Sequence, residues 1–256
     1  PISELRAQLT VSVEDHTGYE RKSWPVSGGI PFPKGEIFDA NQVSLNGSPC
    51  QTRILSRWSD GSIKWLLLDY QSDIKPNETT SQALEIATAN QSQSNLAVES
   101  GDEIYVDTGV LKFSVSKNSF RFIDQAWLDM NENGTYEPKE QIVKRNQGQD
   151  HFLDLQANNP DRPTIPYAIR NLNEGTSRPV INGEPTVKSG SRWMRPEGGG
   201  DETRKYAKDG IYNAEVVENG PLRTVVKLKG RIGEEEDDSE YTIWIHAYKG
   251  KSFLRV

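Results

Sequence analysis

The sequence predicts an all-β chain of two domains, on three observations. Apolar and polar residues alternate with period two in most periodic stretches, while the 3.6-residue period of a long helix is almost absent. Short polar loops holding glycine separate the alternating runs, as hairpins require. A length of 256 residues suffices for one large β domain or two ordinary ones; 9% aromatic content with six tryptophans supplies buried cores although only 34% of residues are hydrophobic.

The clearest element is a hairpin, with strands over 52–58 and 62–70 joined at Ser59-Asp60-Gly61. Its second strand alternates at first and then turns apolar at every position through Leu66, Leu67 and Leu68, which predicts that it runs into the interior. Residues 87–100, holding Asn90-Gln91-Ser92-Gln93-Ser94-Asn95, carry too little apolar surface to offset their ordering entropy and read as a linker or exposed loop. The boundary falls there, with a first domain over 1–95 and a second over 101–256. Strands resume over 103–107, 110–115 and 120–128, then over 223–229 and 241–248. Between them, 146–210 is rich in Asn, Pro, Gly, Arg and Glu and predicts loops with short strands. The last residues, 253–256, read as the start of a strand without its partner, and so as a fragment of something larger.

Composition excludes several functions. Thirty-seven acidic against 30 basic residues, a net charge of −7 and no basic stripe argue against nucleic-acid binding, which is built from cations neutralising phosphates. The longest apolar runs, such as 65–68, are far too short for a membrane span. One cysteine, Cys50, forms no internal disulfide and reads as an inert thiol.

One motif carries specific chemistry. Asp129 to Glu140 fits the twelve-residue calcium loop D-x-[DN]-x-[DN]-G-x5-E at every constrained position. Asp129, Asn131 and Asn133 would supply side-chain oxygens, Thr135 its carbonyl, Glu137 a direct or water-mediated contact and Glu140 a bidentate carboxylate, matching the demand of Ca2+ for six to eight hard oxygens. Gly134 permits the turn between the two ends. The flanks read as strand and at most a short helix, so the expectation is an isolated EF-like clip of structural purpose. A plain Asn-Gly turn is the alternative.

Elsewhere the candidates are less specific. Trp244, His246 and Tyr248 share one face of an alternating strand, a row that serves cross-strand packing or the stacking of a sugar ring. Arg192, Trp193, Arg195 and Tyr206 combine cations and aromatics around a glycine run; they form a solvated loop or a site for an acidic ligand, since the guanidinium fork fits carboxylates. The run Glu234-Glu235-Glu236-Asp237-Asp238 reads as a solvated hairpin tip.

Two stretches resemble a known family. Residues 25–36 (PVSGGIPFPKGE) and 55–69 (LSRWSDGSIKWLLLD) are similar to the amino-terminal part of the exo-rhamnogalacturonan lyase-like proteins, whose relatives include lyases acting on ulvan. Residues 106–113 and 219–226 resemble the opening strands of that family's second domain. The resemblance implies a small RIFT-type β-barrel followed by the first part of an antiparallel, galactose-mutarotase-like β-sandwich, with a carboxy-terminal α/α toroid as missing partner. It implies a secreted, periplasmic or cell-surface polysaccharide lyase that cleaves uronate- and rhamnose-containing polysaccharide, of which this chain alone would be inactive. In such lyases a base removes the proton α to the uronate carboxylate. His246 and Tyr248 have suitable chemistry for catalysis, and Arg192, Trp193, Arg195 and Tyr206 for substrate binding. A non-enzymatic carbohydrate-binding or scaffold module is the rival reading.

Overall fold

The computed structural model describes residues 9–46, 48–86, 94–145, 210–232 and 240–256 with their side chains, and further short strands between 153 and 206 by their backbone. Among the described residues every regular element is a strand, apart from two single-turn 3-10 helices. The chain divides into two units, Pro1–Leu96 with Asn219–Arg223, and Ala97–Glu218 with Thr224–Val256.

The first unit holds β1 (Leu9–Glu14), β2 (Arg21–Pro31), β3 (Val43–Leu45), β4 (Cys50–Arg57), β5 (Ile63–Ile74) and β6 (Thr79–Ile86). They pair antiparallel in two three-stranded sheets, ordered β1-β6-β3 and β2-β5-β4. Both sheets contribute to one core, with Val43, Leu45 and Leu84 from one and Ile30, Cys50, Ile63, Leu66, Leu68 and Tyr70 from the other. Each fully buried Leu or Ile there contributes about 1.5–3 kcal/mol. Cys50 is buried, and burial pushes its thiol above the ordinary range, which keeps it protonated and unreactive.

The predicted hairpin is β4–β5. It closes where Trp58 N–H donates to Ser62 O at 2.8 Å and Gly61, at φ +86°, donates to Trp58 O at 3.0 Å. The expectation that this strand runs into the interior holds for one face of β5. Leu66, Leu68 and Tyr70 point inward, but Trp65 is 41% exposed and Leu67 half-buried on the other face. That face is thin because Leu67 lies across from Gly29, which brings no side chain to cover it. Asp69 on the same face is buried, where it accepts hydrogen bonds from Arg223 Nη1 at 2.7 Å and from Ser27.

In the second unit, β7 (Ala97–Ser100), β8 (Glu103–Asp107), β9 (Leu111–Ser116), β10 (Gln125–Leu128) and β11 (Gln141–Val143) form a sheet ordered β11-β10-β9-β8-β7. Backbone strands β12 (Leu153–Gln156), β13 (Ala168–Ile169), β14 (Val180–Ile181), β15 (Glu184–Pro185), β16 (Val187–Ser189), β17 (Arg192–Met194) and β18 (Arg204–Tyr206) follow in small sheets. Last come β19 (Tyr212–Asn219), β20 (Arg223–Arg231), β21 (Glu240–Tyr248) and β22 (Leu254–Arg255), a four-stranded sheet in chain order. A shared core makes a β-sandwich: Ile104, Val106, Phe113 and Ala126 of the first sheet pack with Val226, Leu228, Ile245 and Ala247 of the second.

Three local expectations change. Residues 97–100, read as linker, form β7 against β8. The strand predicted over 120–128 survives only as β10, since Phe122 adopts φ +61°, which strand geometry excludes; Phe120 nevertheless enters the core, edge-on to Tyr212 and Tyr241. The chain's last strand has a partner, because Leu254 and Arg255 pair with Ala247 and His246. The acidic run at 234–238 lies outside the described residues.

Candidate functional site

The oxygen-rich loop connects β10 to β11. Asp129 leaves β10 with its N–H bonded to Val110 O at 2.9 Å, and the chain turns back at Glu132 (φ +58°) and Gly134 (φ +76°). Asn131 and Asn133 act through their side chains: Asn131 Oδ1 accepts the Asn133 N–H at 3.1 Å, and Asn133 Oδ1 accepts the Thr135 N–H at 2.8 Å and its hydroxyl at 2.6 Å. Pro138 opens the 3-10 turn Pro138–Glu140, which swings Glu140 back beneath the loop.

The first and last residues of the loop are both buried. Asp129 is 5% and Glu140 0% exposed. Asp129 Oδ2 accepts the Gly134 N–H at 2.8 Å and Oδ1 the Asn133 N–H at 3.2 Å; Glu140 Oε1 accepts the Met130 N–H at 3.1 Å and Oε2 the Glu137 N–H at 3.0 Å. Neither carboxylate is ion-paired among the described residues. Each of the four carboxylate oxygens thus has a backbone N–H donor that offsets part of the cost of burying its charge, and a divalent ion held by the loop's oxygens would offset more.

Glu137 is half-buried and accepts a hydrogen bond from Asn133 Nδ2 at 3.4 Å. Lys139 Nζ lies 2.8 Å from it, and that neighbour holds its carboxyl below the usual range. Among the described residues no group of three or more His, Cys, Asp and Glu side chains is gathered as a metal site. Of the loop's candidate ligands Asp129 and Glu140 are buried, while Asn131, Asn133 and Thr135 are exposed. Beside it, Tyr136 donates to Asp107 Oδ1 at 2.6 Å; burial first, then this bond and the nearby negative charges, push the phenol well above its ordinary range.

A second constellation lies on the outer face of the β19–β22 sheet. On β21, Ile245 and Ala247 face the core, so Trp244 and His246 face outward, with Trp244 45% exposed and His246 half-buried. Lys227 of β20 places Nζ 5.6 Å from the centre of the Trp244 ring and 2.9 Å from Glu215 of β19. Arg255 of β22 lies directly across from His246, and its guanidinium carbon stands 5.8 Å from the Tyr248 ring centre. Tyr248 itself is buried beside Phe253, ring centres 6.1 Å apart, so its ring serves as a floor for Arg255. Strand alternation reveals Trp244, His246 and Tyr248 in the sequence; Arg255 is missed, because only the pairing of β21 with β22 places it beside them.

Arg192 and Trp193 fall on β17 and Tyr206 on β18, in register with Ser189, Lys188 and Asp154 respectively; their side chains, and Arg195 altogether, lie outside the described residues. No helix among the described residues is long and apolar enough to cross a membrane.

Comparison with known proteins agrees with the first unit's architecture. Residues 11–87 match the family model of the PcRGLX-like N-terminal RIFT barrel domain, and no curated protein matches the chain.

Proposed function

We propose, from a PcRGLX-like N-terminal RIFT barrel at residues 11–87, that this chain is the amino-terminal, non-toroid portion of a secreted polysaccharide lyase, and that Ca2+ braces its 129–140 loop. The reaction would be β-elimination on uronate- and rhamnose-containing polysaccharide. A base takes the proton α to the uronate carboxylate, a cationic group neutralises the resulting enolate, and an acid assists the departing glycosidic oxygen. The barrel match carries this reading, and the β-sandwich that follows it supports the same domain order. The α/α toroid that the reading requires would supply most of the catalytic groups, so this chain alone is expected to be nearly inactive.

The test is the ultraviolet absorbance of unsaturated uronate released from rhamnogalacturonan or ulvan. A longer polypeptide joining this chain to a toroid should generate it, and the chain alone should not. No such product on any acidic rhamnose-containing polymer would sink the lyase reading, and vigorous turnover by the chain alone would sink the need for a toroid.

Calcium rests on the buried pair Asp129 and Glu140 within a complete twelve-residue pattern. The ion would draw on these two carboxylates, the amide oxygens of Asn131 and Asn133 and the Thr135 carbonyl, with Glu137 released from Lys139 or reached through water. The clip joins two neighbouring strands, so its role would be stability.

A further inference from the structure

We propose that the outer face of the β19–β22 sheet, centred on Trp244, His246 and Arg255, binds an anionic, uronate-bearing oligosaccharide; this rests on the acidic-polysaccharide reading above and adds a place for the ligand. The first support is the row itself. Successive residues on one face of a strand stand ~6.7 Å apart, so Trp244 and His246 lie side by side on this face, with the buried Tyr248 next in the row beside Arg255. An exposed indole offers a flat apolar platform for the C–H face of a pyranose. Trp244, 45% exposed, is an outlay of apolar surface on a face where Thr242, Lys229 and Glu215 are polar.

Charge selects the ligand's sign. Lys227, Lys229, Arg231 and Arg255 face Glu215 and Glu240; these acids are engaged by Lys227 at 2.9 Å, Lys229 at 3.6 Å and Arg231 at 4.0 Å. Arg255 is exposed and pairs with no acid among the described residues, and the Tyr248 ring centre lies 5.8 Å from its guanidinium carbon. A planar guanidinium matches a carboxylate in two parallel bonds. His246 is its direct cross-strand neighbour on the same face. A uronate would therefore lay its carboxylate on Arg255 and its neighbouring sugar on Trp244.

Titration of this 256-residue chain with oligogalacturonate, followed by calorimetry and by tryptophan fluorescence, tests the assignment. Saturable binding is expected, with a fluorescence change, weakening with salt, and a neutral oligosaccharide of equal length should bind roughly tenfold or more weakly. Trp244→Ala and Arg255→Glu should each lower affinity about tenfold or more, Arg255→Lys less, while Trp65→Ala on the other unit leaves it unchanged. Unchanged melting curves certify that the variants are folded. Equal affinity for the neutral oligomer, unaltered affinity in both Trp244→Ala and Arg255→Glu, or no binding at all would overturn the site. Because this is a binding measurement, a positive result without any unsaturated product from the longer polypeptide would leave the site standing and remove only the lyase reading.

Discussion

The side-chain amide of Gln51 and the backbone of Arg223 bond in both directions: Gln51 Oε1 accepts the Arg223 N–H at 3.0 Å, and Gln51 Nε2 donates to the Arg223 carbonyl at 3.1 Å. The same oxygen takes the Leu222 N–H at 3.2 Å. One side chain thus satisfies three backbone groups of the turn Asn219–Arg223, a segment distant in sequence that belongs to the first unit.

Gln51→Ala leaves the Leu222 and Arg223 N–H groups without that acceptor, while the Arg223 carbonyl keeps the Gly220 N–H at 3.1 Å, and a loss of about 1–3 kcal/mol is expected in urea unfolding. Gly220→Ala should act through the same contact, since an added Cβ would sit 2.3 Å from the Gln51 carboxamide. Combined, the two changes should cost much less than the sum of each alone, because they remove one set of bonds. Full additivity would disprove the shared mechanism.

Asp15 should mark the acid limb of stability. Its carboxylate accepts N–H bonds from Asn77 at 3.0 Å, Gly18 at 2.8 Å and Thr17 at 3.2 Å, the Thr17 hydroxyl at 2.7 Å, and Arg21 Nη1 at 2.5 Å. The Asn77 bond leads in holding the carboxyl far below its ordinary range. A depressed folded pKa stabilises fully above the unfolded value of about 4, and the contribution drains away as pH falls below it. The melting-temperature gap between wild type and Asp15→Asn should therefore be largest near neutrality and shrink from about pH 4 to pH 2. A gap that stays constant would contradict it.

Tyr212 and Tyr241 carry buried hydroxyls with no hydrogen-bond partner among the described residues, and burial pushes both phenols well above the ordinary range. Neither should ionise in an alkaline spectrophotometric titration before the protein unfolds. Tyr241→Phe should be neutral or slightly stabilising, since the lost hydroxyl has no partner, whereas Tyr136→Phe should cost about 0.5–1.5 kcal/mol through its bond to Asp107.

Gly230 has no room for a side chain: a Cβ would lie 2.4 Å from the Tyr241 hydroxyl and 2.7 Å from the Ile211 carbonyl. Gly230→Ala should destabilise by about 1–3 kcal/mol. Tyr241→Phe in the same chain should recover only part of that, because the backbone carbonyl remains; complete recovery would place the whole conflict on the phenol.

If Ca2+ occupies the 129–140 loop, a concentration one hundred times its Kd adds about 2.7 kcal/mol and should raise Tm by several degrees. A chelator should reverse the shift, and Glu140→Gln should abolish it. An ion-free protein that melts at the same temperature with and without Ca2+ would end the clip proposal.

Much of the fold was legible because the signals are local. In β8 and β21 alternate side chains face opposite sides whatever strand lies next to them, so the pattern alone marks each strand. The turn at Gly61 needs a positive φ, and the Asp129 to Glu140 loop closes through contacts made within twelve residues. The sequence by itself determined these elements.

Pairing, layering and irregular backbone were decided by the tertiary structure. Nothing near Gln51 points to Arg223, and nothing in 253–256 places Arg255 opposite His246 until β22 joins β21. Residues 65–68 look uniformly apolar, yet Trp65 is exposed because a strand's second face is buried only where another layer covers it. The strand pattern of 120–128 gave way at Phe122, whose left-handed backbone lets Phe120 reach the core and Asp124 N–H meet Ser114 O at 2.8 Å. Such long-range partners repay the entropy of ordering only in the assembled fold, and no local spacing records them.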